Sequence, residues 1–147
     1  MNDESIAGQV RQSRSSKQKP QELPPIGGGS RGCFMIKEKI YEMILYGNPI
    51  LVQFPKSERF LLTKDIREAM YSMLKMVITL ENKTYKKTTL GELDTQIDIL
   101  RHLLRMAADS RLYPGAKPCL PFKKYEHWSR LLNEIGKMVG GYKKYVT

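Results

Sequence analysis

Apolar positions in this chain recur at alternating steps of three and four from about Ile36 to Tyr145, the spacing that gathers side chains on one face of an α-helix. In the first run Ile36, Ile40, Met43, Gly47, Ile50 and Phe54 share a face. Pro49 should bend this helix, because proline has no N–H for the preceding turn, and Pro55 should end it. Ser57 is the expected cap of a second helix, from about Ser57 to Lys83. There Leu62, Ile66, Ala69, Met70, Met73, Val77 and Leu80 form one stripe, and Tyr71, Leu74 and Ile78 form an adjoining one. The combined arc is wide for a surface helix of a monomer, and it fits either burial by three neighbouring helices or burial in a subunit contact.

A third helix opens at Thr88 or Thr89, with Glu92 three residues after Thr89 in the capping-box position. Its seam is Leu90, Leu93, Ile97, Leu100, Leu104 and Ala107. The prolines at 114, 118 and 121 force a loop over Tyr113 to Pro121. A fourth helix follows from about Phe122 to Tyr145, with Tyr125, Trp128, Leu132, Ile135, Val139 and Tyr142 inward. Four helical patterns with short or proline-marked connections, and no strand-like alternation, predict an all-α, up-and-down four-helix bundle over residues 34–147. Residues 1–33 are rich in Ser, Gln, Lys, Pro and Gly and offer few apolar groups to offset ordering entropy, so they read as a flexible tail.

Composition adds a partner class. The 147 residues and 41% hydrophobic content suit one domain with a modest core. The net charge is +10, of which the tail holds +2 and the body from Phe34 onward +8. Such a field favours phosphates or acidic surfaces. Cys33 and Cys119 lie far apart, with no CxxC spacing and no metal-type histidine nearby, which suggests neither a zinc site nor a disulfide framework and fits a reducing cytoplasm. No apolar run approaches the roughly 20 residues that cross a bilayer, and Met1-Asn2-Asp3-Glu4 does not open like a signal peptide, so no membrane partner is expected.

Candidate binding residues lie on the last two helices. Lys123, Arg130, Lys137 and Lys144 recur every seven residues, nearly opposite the Trp128 seam and roughly 10 Å apart by helical rise. That row can follow a phosphate backbone without reading bases; equally it can be a solvated face with Glu126 and Glu134 as partial partners. On the third helix Asp94, Asp98, Arg101, Arg105 and Asp109 share one side. Asp98 with Arg101, and Arg105 with Asp109, are spaced as exposed helical ion pairs, or the arginines can offer guanidinium groups to RNA or across a subunit boundary. Gly136 and Gly140, four apart, suit a close helix approach, such as a contact with the Pro49 bend.

Catalysis has little support. Neither His102 nor His127 has Glu three positions earlier, which excludes a di-iron bundle. The residues before the histidines give no RNase pattern of the HEPN type, and Gly27-Gly28-Gly29 follows no strand and so is no phosphate loop. No catalytic residue, metal or cofactor is therefore expected.

Several segments together carry a family likeness: Phe54-Pro55-Lys56, Glu92-Leu93-Asp94, Leu100 to Arg105, Lys124-Tyr125-Glu126-His127-Trp128, and Glu134 to Gly141. Over roughly Ile36 to Tyr145 the chain resembles the accessory variability determinant (Avd) proteins of diversity-generating retroelements, within the wider four-helix proteins encoded in rRNA intervening sequences. The resemblance implies a non-catalytic homopentamer that binds the element's reverse transcriptase and its template RNA and cDNA, in support of mutagenic reverse transcription. It also implies that Arg101 and Arg105 occupy the family's basic positions on the third helix. Tyr142 stands where many relatives carry tryptophan, and the 1–33 extension has no counterpart in short members. The alternative is a structural or protein-interaction oligomer of the intervening-sequence type, without a retroelement role. The proline-rich loop before Phe122 and the basic charge lean toward the retroelement accessory.

Overall fold

The computed structural model describes residues 29–146. The tail expected over residues 1–33 therefore lies, up to residue 28, outside the described residues. Among the described residues four helices make up the fold: α1 Gly29–Val52, α2 Leu62–Glu81, α3 Lys87–Ala108 and α4 Phe122–Val146. A single 3-10 turn, Lys56–Glu58, lies between α1 and α2. α2 packs on α1 and α3, and α4 packs on α1 and α3, so the helices stand at the corners of an up-and-down bundle.

The three-four seams are the core. Every residue of the expected first stripe on α2 is buried, as are the whole α3 seam, the α1 face of Ile36, Ile40, Met43 and Ile50, and Phe54 just beyond α1. Trp128, Leu132, Ile135, Val139 and Tyr142 line the inside of α4, joined by Leu131, while Tyr125 is only half-buried. Each fully buried side chain of this size contributes roughly 1.5–3 kcal/mol of hydrophobic stabilisation. On α2 the adjoining stripe divides: Leu74 is half-buried, but Tyr71 and Ile78 are exposed, so the two helices that α2 packs on, α1 and α3, do not cover the whole arc.

Helix starts differ from the expected ones. α1 already begins at Gly29, inside the stretch read as tail, and Cys33 is buried within it. Pro49 sits inside α1, which runs on to Val52. Ser57 caps nothing: it belongs to the 3-10 turn, and α2 starts five residues later at Leu62. Its first turn is served by the Glu58 carboxylate, whose Oε1 accepts the Leu62 N–H at 3.3 Å. The other carboxylate oxygen accepts the hydroxyl of Tyr113, which reaches over from the proline-rich loop. Glu58 is thus a buried acid held between two connections of the bundle. α3 begins at Lys87 without a side-chain cap, so the Thr89–Glu92 capping box is not formed; the Thr89 hydroxyl is buried and accepts Lys83 Nζ at 2.8 Å.

The close helix approach also lies elsewhere than expected. A Cβ at Gly140 would meet nothing within 4 Å, and one at Gly136 would meet the flexible end of the Arg101 side chain at 2.8 Å from Nη2, with Ile97 Cγ2 at ordinary contact distance, 4.0 Å. At Gly47, by contrast, a Cβ would stand 2.4 Å from Trp128 Cζ2. The glycine that lets α1 and α4 close on each other is therefore Gly47, with the indole filling the space its side chain leaves.

Candidate nucleic-acid interface

The basic residues singled out on α4 are held by an interior seam that turns them outward. Lys123, Arg130, Lys137 and Lys144 are all exposed, and none has a carboxylate within 4.0 Å among the described residues. Glu134 does not neutralise the row: it pairs with Lys39 of α1 at 3.1 Å. That contact, ahead of the second one to Glu42, raises the Lys39 pKa against the opposing effect of burial. Arg130 lies on the α1 side of α4, where its charge partly counters the rise that burial imposes on the Tyr46 phenol. Lys137 borders a groove of about 720 Å³ between α1 and α4, together with Glu38, Glu42, Tyr41 and Leu45.

The two arginines of α3 differ from each other. Arg101 forms the expected pair with Asp98 at 2.7 Å and also donates through Nε to Asn133 Oδ1 of α4 at 3.4 Å, so its guanidinium lies across Gly136 as a brace between the helices. Arg105 does not form the expected pair with Asp109. Asp109 is already beyond the helix, at the cap of α3, in extended backbone. There it takes Arg111 instead, by its side chain (Nε at 3.0 Å, Nη2 at 2.9 Å) and by its backbone N–H at 2.9 Å. Those contacts hold the Asp109 carboxyl down at about 2. Arg105 is left exposed, with no carboxylate in ion-pair reach among the described residues.

The six candidates do not converge on one pocket. Arg101 sits where α3 meets α4, whereas Lys137 and Arg130 lie toward α1, so the basic surface wraps around the outside of α4. The Asp94 carboxylate, also expected on the arginine side of α3, binds Lys143 of α4. A further group of cations, Lys64, Arg67 and Lys75 on α2 and Arg59 just after the 3-10 turn, gathers around Tyr71 and was not singled out from the sequence. Its signal was legible in the four-residue steps Arg67, Tyr71, Lys75, which lay hidden inside a segment dominated by its apolar stripe.

Among the described residues no group of three or more His, Cys, Asp or Glu could hold a metal ion, and no helix is long and apolar enough to cross a membrane. Four helices in an up-and-down arrangement, with exposed cations around the outside of the last one, define a class: helical-bundle proteins with a basic surface. The chain belongs to the bAvd-like family, whose model matches residues 34–146. That is a family of accessory, non-catalytic proteins, and membership points to the diversity-generating retroelements. No curated protein matches the sequence.

Proposed function

We propose that this protein is the accessory subunit of a diversity-generating retroelement, holding template RNA, and the cDNA made from it, against the element's reverse transcriptase. The observation that carries this reading is the set of exposed cations, Arg105, Lys123, Arg130, Lys137 and Lys144, that lack carboxylate partners among the described residues. A solvated face on an ordinary soluble helix is usually laced with opposite charges at three- and four-residue spacing. Here Glu134 is committed to Lys39 and Asp109 to Arg111, while Glu126, three residues after Lys123 and four before Arg130, makes no ion pair with either. Self-association would multiply the field: the body charge of +8 becomes about +40 in a pentamer, enough for salt-sensitive binding without base readout. Arg101, tied to Asp98 and Asn133, contributes less than Arg105.

The test is RNA binding and reverse-transcriptase capture across a salt series, with wild type beside a variant carrying Arg105→Gln, Arg130→Gln and Lys137→Gln. Affinity should fall steeply with salt in the wild type, and the triple variant should lose about two units of log-log slope at the ~0.7 per phosphate contact of a single strand. Unchanged RNA and polymerase binding by a still-assembled variant would overturn the reading. A second reading, a structural oligomer whose charges serve solubility, is favoured by one observation: a second apolar stripe on α1, at Phe34, Tyr41, Leu45 and Val52, is exposed. It predicts assembly without RNA binding, so the same experiment decides between them.

A further inference from the structure

Along the outer side of α2, away from α4, runs a concave groove of about 610 Å³. Its walls carry Arg59, Phe60, Lys64, Arg67, Tyr71 and Lys75, with the acid Glu68 among them. We infer that this groove takes a single strand of nucleic acid, with Phe60 and Tyr71 as stacking faces for bases and Arg59, Arg67 and Lys75 as contacts for phosphates. The inference shares with the function proposed above only the class of partner; the site and its residues are separate.

Three observations carry it. First, the charge is left over. Lys64 is paired with Glu68 at 2.7 Å, but Arg59, Arg67 and Lys75 have no carboxylate within 4.0 Å among the described residues. Second, the aromatics are misplaced for a core. Phe60 is 76% exposed at the entry to α2 and Tyr71 is exposed midway along the helix, each beside cations. An aromatic ring with flanking Lys or Arg is the arrangement that holds unpaired bases, since every base has a face to stack and every nucleotide a phosphate. Third, the groove is braced. Asn48, next to Pro49 in α1, donates through Nδ2 to the Tyr71 hydroxyl at 2.9 Å and accepts Arg67 Nε at 3.4 Å. This fixes the ring and one edge of the guanidinium, while the two Nη groups of Arg67 make no hydrogen bond to the described residues.

From Lys64 to Lys75 the helix advances ~16 Å, which matches roughly five nucleotides at the ~3.4 Å stacked rise of one strand. A recess of that length suits a flexible strand better than a stiff duplex, whose phosphates present a convex cylinder. It also suits a strand better than an anionic bilayer, which would ask for a continuous apolar edge rather than two rings separated by cations.

The experiment is fluorescence anisotropy of the full chain with a labelled 12-nucleotide oligouridylate, run for wild type, Phe60→Ala, and the double variant Arg67→Gln/Lys75→Gln. Circular dichroism and sedimentation confirm that each variant is folded and assembled as the wild type is. Phe60→Ala should weaken binding about fivefold to a hundredfold, the range for loss of one stacked base. The double variant should reduce the log-log salt slope by about 1.4. A duplex of the same length should be much less affected by Phe60→Ala. Unchanged affinity and slope in both variants, while Arg105→Gln still weakens RNA binding, would overturn this site and leave the function proposed above standing. Oligonucleotide binding that needs Phe60, in a protein that captures no reverse transcriptase, would support the site and sink that function instead. Phe60-dependent capture by phosphatidylserine vesicles, with oligonucleotide binding unchanged, would overturn the inference in favour of a membrane surface.

Discussion

Gly47, Gly136 and Gly140 all lie on helices, yet only the first carries a packing constraint, because only there does the missing Cβ make room for a rigid ring. Gly47→Ala forces the Trp128 indole or the α1–α4 spacing to shift, an overpacking cost of about 1–3 kcal/mol that a thermal melt will show as a clear fall in Tm. Gly140→Ala, facing open space in a helix interior, should instead raise Tm, since alanine is favoured over glycine there by roughly 0.5–1 kcal/mol. A drop for both would mean that α4 is packed against something on its outer side. Asp109 offers a second residue-level check. Its carboxyl sits at about 2 rather than the ordinary 3.8, because Arg111 holds the ionised form. A depressed carboxylate pKa contributes stability that is complete above 3.8 and is lost as pH falls through about 2. In an NMR titration its side-chain resonance should show that low midpoint, and Arg111→Gln should return it toward the ordinary value.

At the scale of elements, periodicity and termini behaved differently. The seams of all four helices were readable because burial of one face is a property of the segment's own 3.6-residue repeat. Ser57 and Thr89 satisfied the local rule for a cap and failed as caps, because the start of α2 is decided by a residue from outside the helix. Glu58 takes the Leu62 N–H on one oxygen while Tyr113, fifty-five positions away, occupies the other. No local pattern encodes that pairing, just as none encodes the fit of Trp128 over Gly47. The six basic candidates were legible as exposed, but which of them are spent was not: that Arg101 braces α4 and Arg105 stays unpaired follows from where α3 ends and how Arg111 folds back. Tyr113→Phe should accordingly destabilise the fold by stranding a buried carboxylate oxygen. It should also raise hydrogen exchange at the Leu62 amide relative to the middle of α2; uniform exchange across α2 would argue that the Glu58 contact does not hold the helix start.

For the molecule as a whole, Tyr41 and Leu45 of the apolar stripe exposed on α1 and Lys137 of the α4 cations flank the same α1–α4 groove. If α1 supplies the contact between copies, Leu45→Lys together with Val52→Lys should shift the sedimentation coefficient to that of a single subunit while leaving the helical spectrum intact. The isolated subunits should then bind RNA less tightly and with a shallower salt dependence, because the charge per particle falls. Retention of the larger particle would place the contact on the exposed Tyr71 and Ile78 side of α2 instead. Finally, Tyr142 near the end of α4 and Cys33 near the start of α1 are buried in the same core, and α4 packs along α1, so the first and last helices leave the bundle side by side. A short peptide linker would therefore join them without distortion, and a permuted chain reopened at the exposed Thr84–Tyr85 turn should fold to the same architecture. Its new ends would leave from that same pole, so a tag carried on them would stay away from the far end, where Glu58 and Tyr113 meet.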